Sequence, residues 1–191
     1  MTQRKLDIPE VQQIPQFMKI MDDLSVGNNP YLVGSAGTGK TTTSFILAET
    51  IALSGGRVTV MDLDPAENMV LWGKMRTDRG DSMPFEVVGR PRTENLVSEI
   101  EKLEKTADYL VIDLEGTKDQ IATFALSRTD LCLVPIDGSA LEARQAASAI
   151  GLVQQTAAMA RQEIKSAIVF ARTNAAFQTT DERDVRSSLS S

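Results

Sequence analysis

With 191 residues, 42% of them hydrophobic and 24% charged, the chain is long enough for one domain with a proper core and has a soluble globular composition. A net charge of −6 gives no global attraction for nucleic acid, the absence of histidine excludes His-based catalysis, and the single cysteine leaves no disulfide within the chain. No stretch approaches the roughly 18 apolar residues of a membrane helix, and the N-terminus lacks the apolar centre of a signal peptide, so a cytoplasmic location is expected.

Residues 1–30 read as an N-terminal extension. Pro9 and Pro15 break its start, and Phe17, Ile20, Met21 and Leu24 then fall at helical spacing on one face. Gly27-Asn-Asn-Pro30 is a turn. The apolar run Tyr31–Val33 enters Gly34-Ser-Ala-Gly-Thr-Gly-Lys-Thr41, which fits G-x-x-x-x-G-K-[ST] without a gap. The pattern is that of a phosphate-binding loop. Its glycines let backbone N–H groups turn inward, and with the positive end of the following helix they form an anion site. Residues Gly34, Ser35, Ala36, Gly37, Thr38, Gly39, Lys40, Thr41 and Thr42 are the expected nucleotide contacts. Lys40 is placed at the β- and γ-phosphates and Thr41 on Mg²⁺.

Thr42–Leu53 reads as a helix stopped by Gly55-Gly56. Arg57–Met61 is a β-branched run leading into Asp62-Leu-Asp-Pro65, a carboxylate pair at a strand's carboxyl end, where ligands sit in α/β sheets. Equal strand parity would point Asp62 and Asp64 to one side, toward Mg²⁺ and the γ-phosphate. Ala66–Arg76 is predicted as a helix packing through Met69, Trp72 and Met75. Phe85–Val88 is a short strand. Thr93 is a candidate N-cap for a helix over Asn95–Lys105 that buries Leu96, Ile100 and Leu103.

Tyr109–Ile112 is an apolar strand closing on Asp113. Downstream of a phosphate loop, this is the pattern of the aspartate that holds Mg²⁺ through a water. Ile121–Ser127 is a short helix, Leu131–Ile136 a buried strand containing Cys132, and Asp137-Gly-Ser139 a turn. Ala140–Lys165 reads as a long helix with Ala143, Ala147, Ile150, Val153, Ala157, Ala160 and Ile164 as its apolar stripe. Ala167–Phe170 is the last strand, and a polar segment, Gln178–Ser191, closes the chain. Alternating strands and helices predict a single α/β domain over 31–191, with a mainly parallel twisted sheet and helices on both faces.

Gly-x-Gly-Lys-Thr-Thr, Val-x-Val-Met-Asp-Leu-Asp-Pro, Tyr-Leu-Val-Ile-Asp and Thr-Asp-Leu-Cys-Leu-Val-Pro-Ile together resemble the ParA/MinD ATPases of plasmid partition, cargo positioning and conjugation. The resemblance spans about residues 31–174. It implies an ATP- and Mg²⁺-dependent homodimer with nucleotides sandwiched at its interface, slow hydrolysis stimulated by an adaptor protein, and non-specific DNA as a further partner. A bacterial cytoplasm, with nucleoid association, is the implied setting. On this basis Lys40, Asp64 and Asp113 are the catalytic set, with Asp64 orienting water. Thr41, Asp62 and Asp113 are the metal set, the carboxylates through water. Arg172, within Ala171–Asn174, borders the base.

Three departures accompany the resemblance. Ser35 stands where the family carries the lysine that reaches across the dimer, and Lys118 and then Arg144 are the candidates for a replacement cation. Some 30 residues precede the phosphate-loop strand. The chain also stops soon after its last strand, so a C-terminal truncation is one reading. ATP is favoured over GTP because no [NT]-K-x-D element follows a strand; the nearest string, Ser127-Arg-Thr-Asp130, precedes one. Two alternatives stand beside the partition ATPase. One is a metabolic P-loop kinase or ATP-dependent ligase, and the other is a weakly hydrolysing regulatory module.

Overall fold

The computed structural model describes residues 30–32, 38–114, 120–171 and 180–189. Six strands form one sheet: β1 (Pro30–Leu32), β2 (Val58–Asp62), β3 (Glu86–Val88), β4 (Tyr109–Asp113), β5 (Leu131–Ile136) and β6 (Lys165–Phe170). Their order is β3-β2-β4-β1-β5-β6, and every pairing is parallel. The helices are α1 (Lys40–Leu53), α2 (Asn68–Asp78), α3 (Leu96–Leu103), α4 (Gln120–Leu126), α5 (Ala140–Ala160) and α6 (Thr180–Leu189). A parallel sheet needs crossover connections, and these helices supply them, covering both faces.

Side-chain alternation along the strands divides the core in two. Met61, Leu110, Ile112, Cys132, Val134 and Ile136 pack with α3, α4 and α5 and with Val185 of α6. Val58, Val60, Val111, Leu131 and Leu133 pack under Leu47, Ala48 and Ile51 of α1 and Met69 of α2. Burial on both sides explains why the central strands read as unbroken apolar runs. Cys132 is fully buried, and burial pushes its thiol pKa well up, so it is inert packing.

The end of α1 shows why two glycines follow it. Gly55 has φ +86 and donates to Ala52 O, while Gly56 donates to Ile51 O at 3.1 Å. These are the paired bonds of a Schellman motif, with Gly55 in the left-handed position that L side chains avoid.

Several local expectations are corrected. Helix α1 begins at Lys40, two residues early, and α5 ends at Ala160, where Arg161 turns left-handed (φ 54). The buried stripe of α5 is Ala146, Ala149, Val153 and Thr156, while Ala147 and Ala160 are exposed and Ile164 lies beyond the helix. On α2 the buried positions are Met69 and Gly73, and Met75 faces solvent at 54% exposure. Thr93 does not cap: a 3₁₀ turn, Thr93–Asn95, precedes α3, and neither Arg92 nor Asn95 makes a side-chain cap bond. The strand expected at Ala167 begins at Lys165, and part of the polar tail is α6. The N-terminal segment with Phe17, Ile20, Met21 and Leu24, and residues Gly34–Gly37, Lys118 and Arg172, lie outside the described residues.

Candidate nucleotide site

The site stands where β1, β2 and β4 end. Strand β1 lies between β4 and β5, and its register pairs Leu32 with Asp113. The same register pairs Asp62 with Asp113 across β2 and β4. Two carboxylates and the exit of the phosphate-loop strand therefore share one edge of the sheet, at the strands' carboxyl ends.

Thr38 leads into α1 through Gly39, whose φ of 88 is open to glycine and costly for other residues. Gly39 O accepts from Thr43 N at 2.8 Å. The first turn of α1 carries no acidic residue and no side-chain cap. Its positive end is left for an anion. Thr38 and Lys40 are buried at 1% and 6% exposure. Thr42 points to solvent on the outer side of α1, and Arg144 is exposed on α5.

Asp113 is 1% exposed, and neither of its carboxylate oxygens has a hydrogen-bond partner; the buried Ser44 Oγ is likewise unpartnered. Loss of solvent is the main reason its pKa is pushed up to about 6. The Thr41 and Ser44 hydroxyls lie near enough to offset part of that rise, although neither closes a bond of normal geometry to it. The charge of Asp62 adds to the rise and that of Lys40 subtracts from it. A buried carboxylate with open lone pairs beside a hydroxyl and an ammonium fits a hard, oxygen-loving cation that keeps part of its water shell, as Mg²⁺ does. Among the described residues no group of three or more His, Cys, Asp or Glu side chains could hold a metal alone. Phosphate oxygens and water would complete the shell.

Asp62 is fully buried, but its carboxylate is engaged. Oδ1 accepts from Asp64 N at 3.2 Å, and Oδ2 accepts from Met69 N at 2.9 Å and Val70 N at 3.3 Å. Burial raises its pKa, and these N–H groups partly offset the rise. Asp64 lies past the strand end, in the turn, where Oδ1 accepts from Ala66 N at 2.8 Å. The two aspartates therefore do not project in parallel from one strand.

Ser44 was missed by sequence reasoning. It sits one helical turn after Lys40, and starting α1 at Lys40 would have placed both on its buried side.

Comparison with known proteins agrees with this fold. The profile of the CbiA family, described as the CobQ/CobB/MinD/ParA nucleotide binding domain, matches residues 32–182. Protein ParA of Rhizobium radiobacter is 25% identical over 155 residues, covering 80% of this chain and 68% of that protein. The fold is that of a Cyanothece McdA variant in complex with ATP (TM-score 0.69, 17% identity, 85% of this chain and 77% of that one). It is also that of cobyrinic acid a,c-diamide synthase from Mycobacterium smegmatis with bound ADP and magnesium (TM-score 0.68, 17% identity, 85% and 81% covered). The protein belongs to the CobQ/CobB/MinD/ParA family of nucleotide-binding domains.

Proposed function

We propose that the chain is a ParA-like ATPase that works as a nucleotide switch in partition, transfer or positioning. The observation that carries this reading is Asp113: a buried carboxylate with no partner on either oxygen, set beside Thr41, Ser44 and Lys40. Lys40 would neutralise charge on the β- and γ-phosphates, and Thr41 and Asp113 would hold Mg²⁺, the carboxylate through water. Mg²⁺, when bound, supplies charge neutralisation at the phosphates. Asp64 would orient the attacking water. The similarity to Protein ParA supports partition over metabolism. The homodimer, the stimulating adaptor and non-specific DNA belong to this proposal, as does a cytoplasmic site of action.

Light scattering of the protein with Mg²⁺ and either ADP or a non-hydrolysable ATP analogue tests it. A monomer with ADP that doubles in mass with the analogue supports the switch despite Ser35. Unchanged mass in both states removes the dimer mechanism, and a ligase or regulatory role then takes its place.

A further inference from the structure

We infer that Asp62 is a positioning residue that fastens the start of α2 and the Asp64 turn to the end of β2, and is not a ligand of the metal. The inference rests on the nucleotide-site reading above and assigns Asp62 a different task within it.

Register alone would suggest a two-carboxylate metal site, since Asp62 and Asp113 are partners across β2 and β4. The hydrogen bonds argue otherwise. Both Asp62 oxygens are turned into backbone N–H groups, two of them in the first turn of α2. A helix leaves its first N–H groups without internal partners, and an acidic group there is doubly favoured, by hydrogen bonding and by the helix dipole. Helix α2 has no local means of meeting this need. Its N-cap residue, Glu67, sits in the left-handed region (φ 46) with no side-chain cap bond, and its first turn has no acidic residue. Asp62, seven residues upstream of Met69, reaches across and does the capping.

The third bond extends the effect to the chemistry. Asp64 N donates to Asp62 Oδ1, Asp64 O accepts from Glu67 N at 2.9 Å, and Asp64 Oδ1 accepts from Ala66 N. The turn that carries Asp64 is thus hung from Asp62 at one end and from α2 at the other. Without the Asp62 carboxylate, the turn loses the bond that sets where Asp64 begins. Charge-assisted bonds to buried N–H groups are among the stronger single contacts in a fold.

The test compares D62A and D62N with D113N. Amide exchange at Met69 and Val70 is measured without nucleotide, and Mg²⁺-dependent ADP binding and ATP turnover are measured alongside. In D62A, exchange at both amides should rise about tenfold or more. The value of kcat should fall by a similar factor, while KM for ATP and the Mg²⁺ dependence of ADP binding stay within about threefold. D113N should do the reverse, losing Mg²⁺ dependence and keeping slow exchange. D62N keeps one acceptor oxygen, so its exchange and kcat should fall between wild type and D62A, and it serves alone if D62A does not fold. Weakened Mg²⁺ dependence matching D113N, with exchange at Met69 and Val70 unchanged, would overturn the assignment. If the wild type binds no nucleotide, the proposed function falls, and the exchange measurement alone decides whether Asp62 is the clamp.

Discussion

Asp62 and Asp113 face each other across paired strands, both buried, yet three backbone N–H groups enter the first carboxylate and none enters the second. The same residue type, one strand apart, is engaged by backbone on one side and carries two unpartnered oxygens on the other.

The open carboxylate has a stability signature. The Asp113 pKa rises from 3.8 to about 6 on folding, so between those pH values the folded state holds a proton that the unfolded state has released. Stability from this group is full below about pH 4 and is lost as pH rises through about 6, a penalty of about 3 kcal/mol at neutral pH. D113N removes the charge. Without nucleotide, it should be about 1–3 kcal/mol more stable than wild type at pH 7.5, with the gap shrinking toward zero near pH 4. Urea unfolding at both pH values measures this.

Lys40 and Ser44 share the buried side of α1 but should respond differently. Lys40→Ala should weaken Mg²⁺–ADP binding by about 10–100-fold, the loss of a charge-assisted phosphate contact. Ser44→Ala removes a hydroxyl that has no partner in the free protein. Its unfolding free energy should therefore stay within about 1 kcal/mol of wild type. Calorimetric titration and urea unfolding on the two variants check both outcomes.

The α1 terminus offers a pair of glycine variants with different causes. Gly55→Ala meets no neighbour but must adopt φ +86, costing about 1 kcal/mol. Gly56→Ala has no such φ problem, but its Cβ would stand 2.8 Å from Ile51 Cγ2 and 3.3 Å from Ile51 O and from the Tyr109 ring. Part of the obstacle is backbone, so about 1–3 kcal/mol is expected. Thermal unfolding of both, with the double variant for coupling, separates the two effects.

Trp72, the single tryptophan, ties α2 to α1 and to the β3 edge. It meets Phe45 edge-on with centroids 4.3 Å apart, stacks on Phe85 at 6.1 Å, and carries the Arg76 guanidinium 5.2 Å above its ring. Trp72→Ala should cost about 2–4 kcal/mol, and Trp72→Phe less than half of that. Far-UV circular dichroism in urea is the measurement, since the fluorophore is gone.

Strands β2, β4 and β5 were legible because each is a largely apolar run that closes on a polar residue or turn, and Leu131–Ile136 coincides with β5. The place of Asp113 at the end of β4 was legible for the same reason. Helix phases were less so. In α5, alanine fits either face at little cost, so the apolar pattern does not fix which side is buried; the Ser139 cap, accepting from Glu142 N, fixes the start instead. On α2 the buried Gly73 carries no hydropathy signal, which drew the expected stripe onto Met75. Asp62 was placed on the right edge of the sheet, but its partners are N–H groups of Met69 and Val70. A composition pattern shows carboxylates and hides the backbone donors that engage them.

Three-residue β1 lies inside the sheet, as the wedge between β4 and β5, pairing with Ile112 and Asp113 on one side and with Leu131, Cys132 and Leu133 on the other. Only β2–β3 and β5–β6 join strands consecutive in the described chain. The strand beneath the phosphate loop therefore cannot be seated until about a hundred further residues, up to Leu133, have been made. Closing such long loops is entropically slow, so late insertion of β1 is the expected bottleneck of folding. Nucleotide, which needs the finished edge of the sheet, can reward the native state but cannot guide the nascent one.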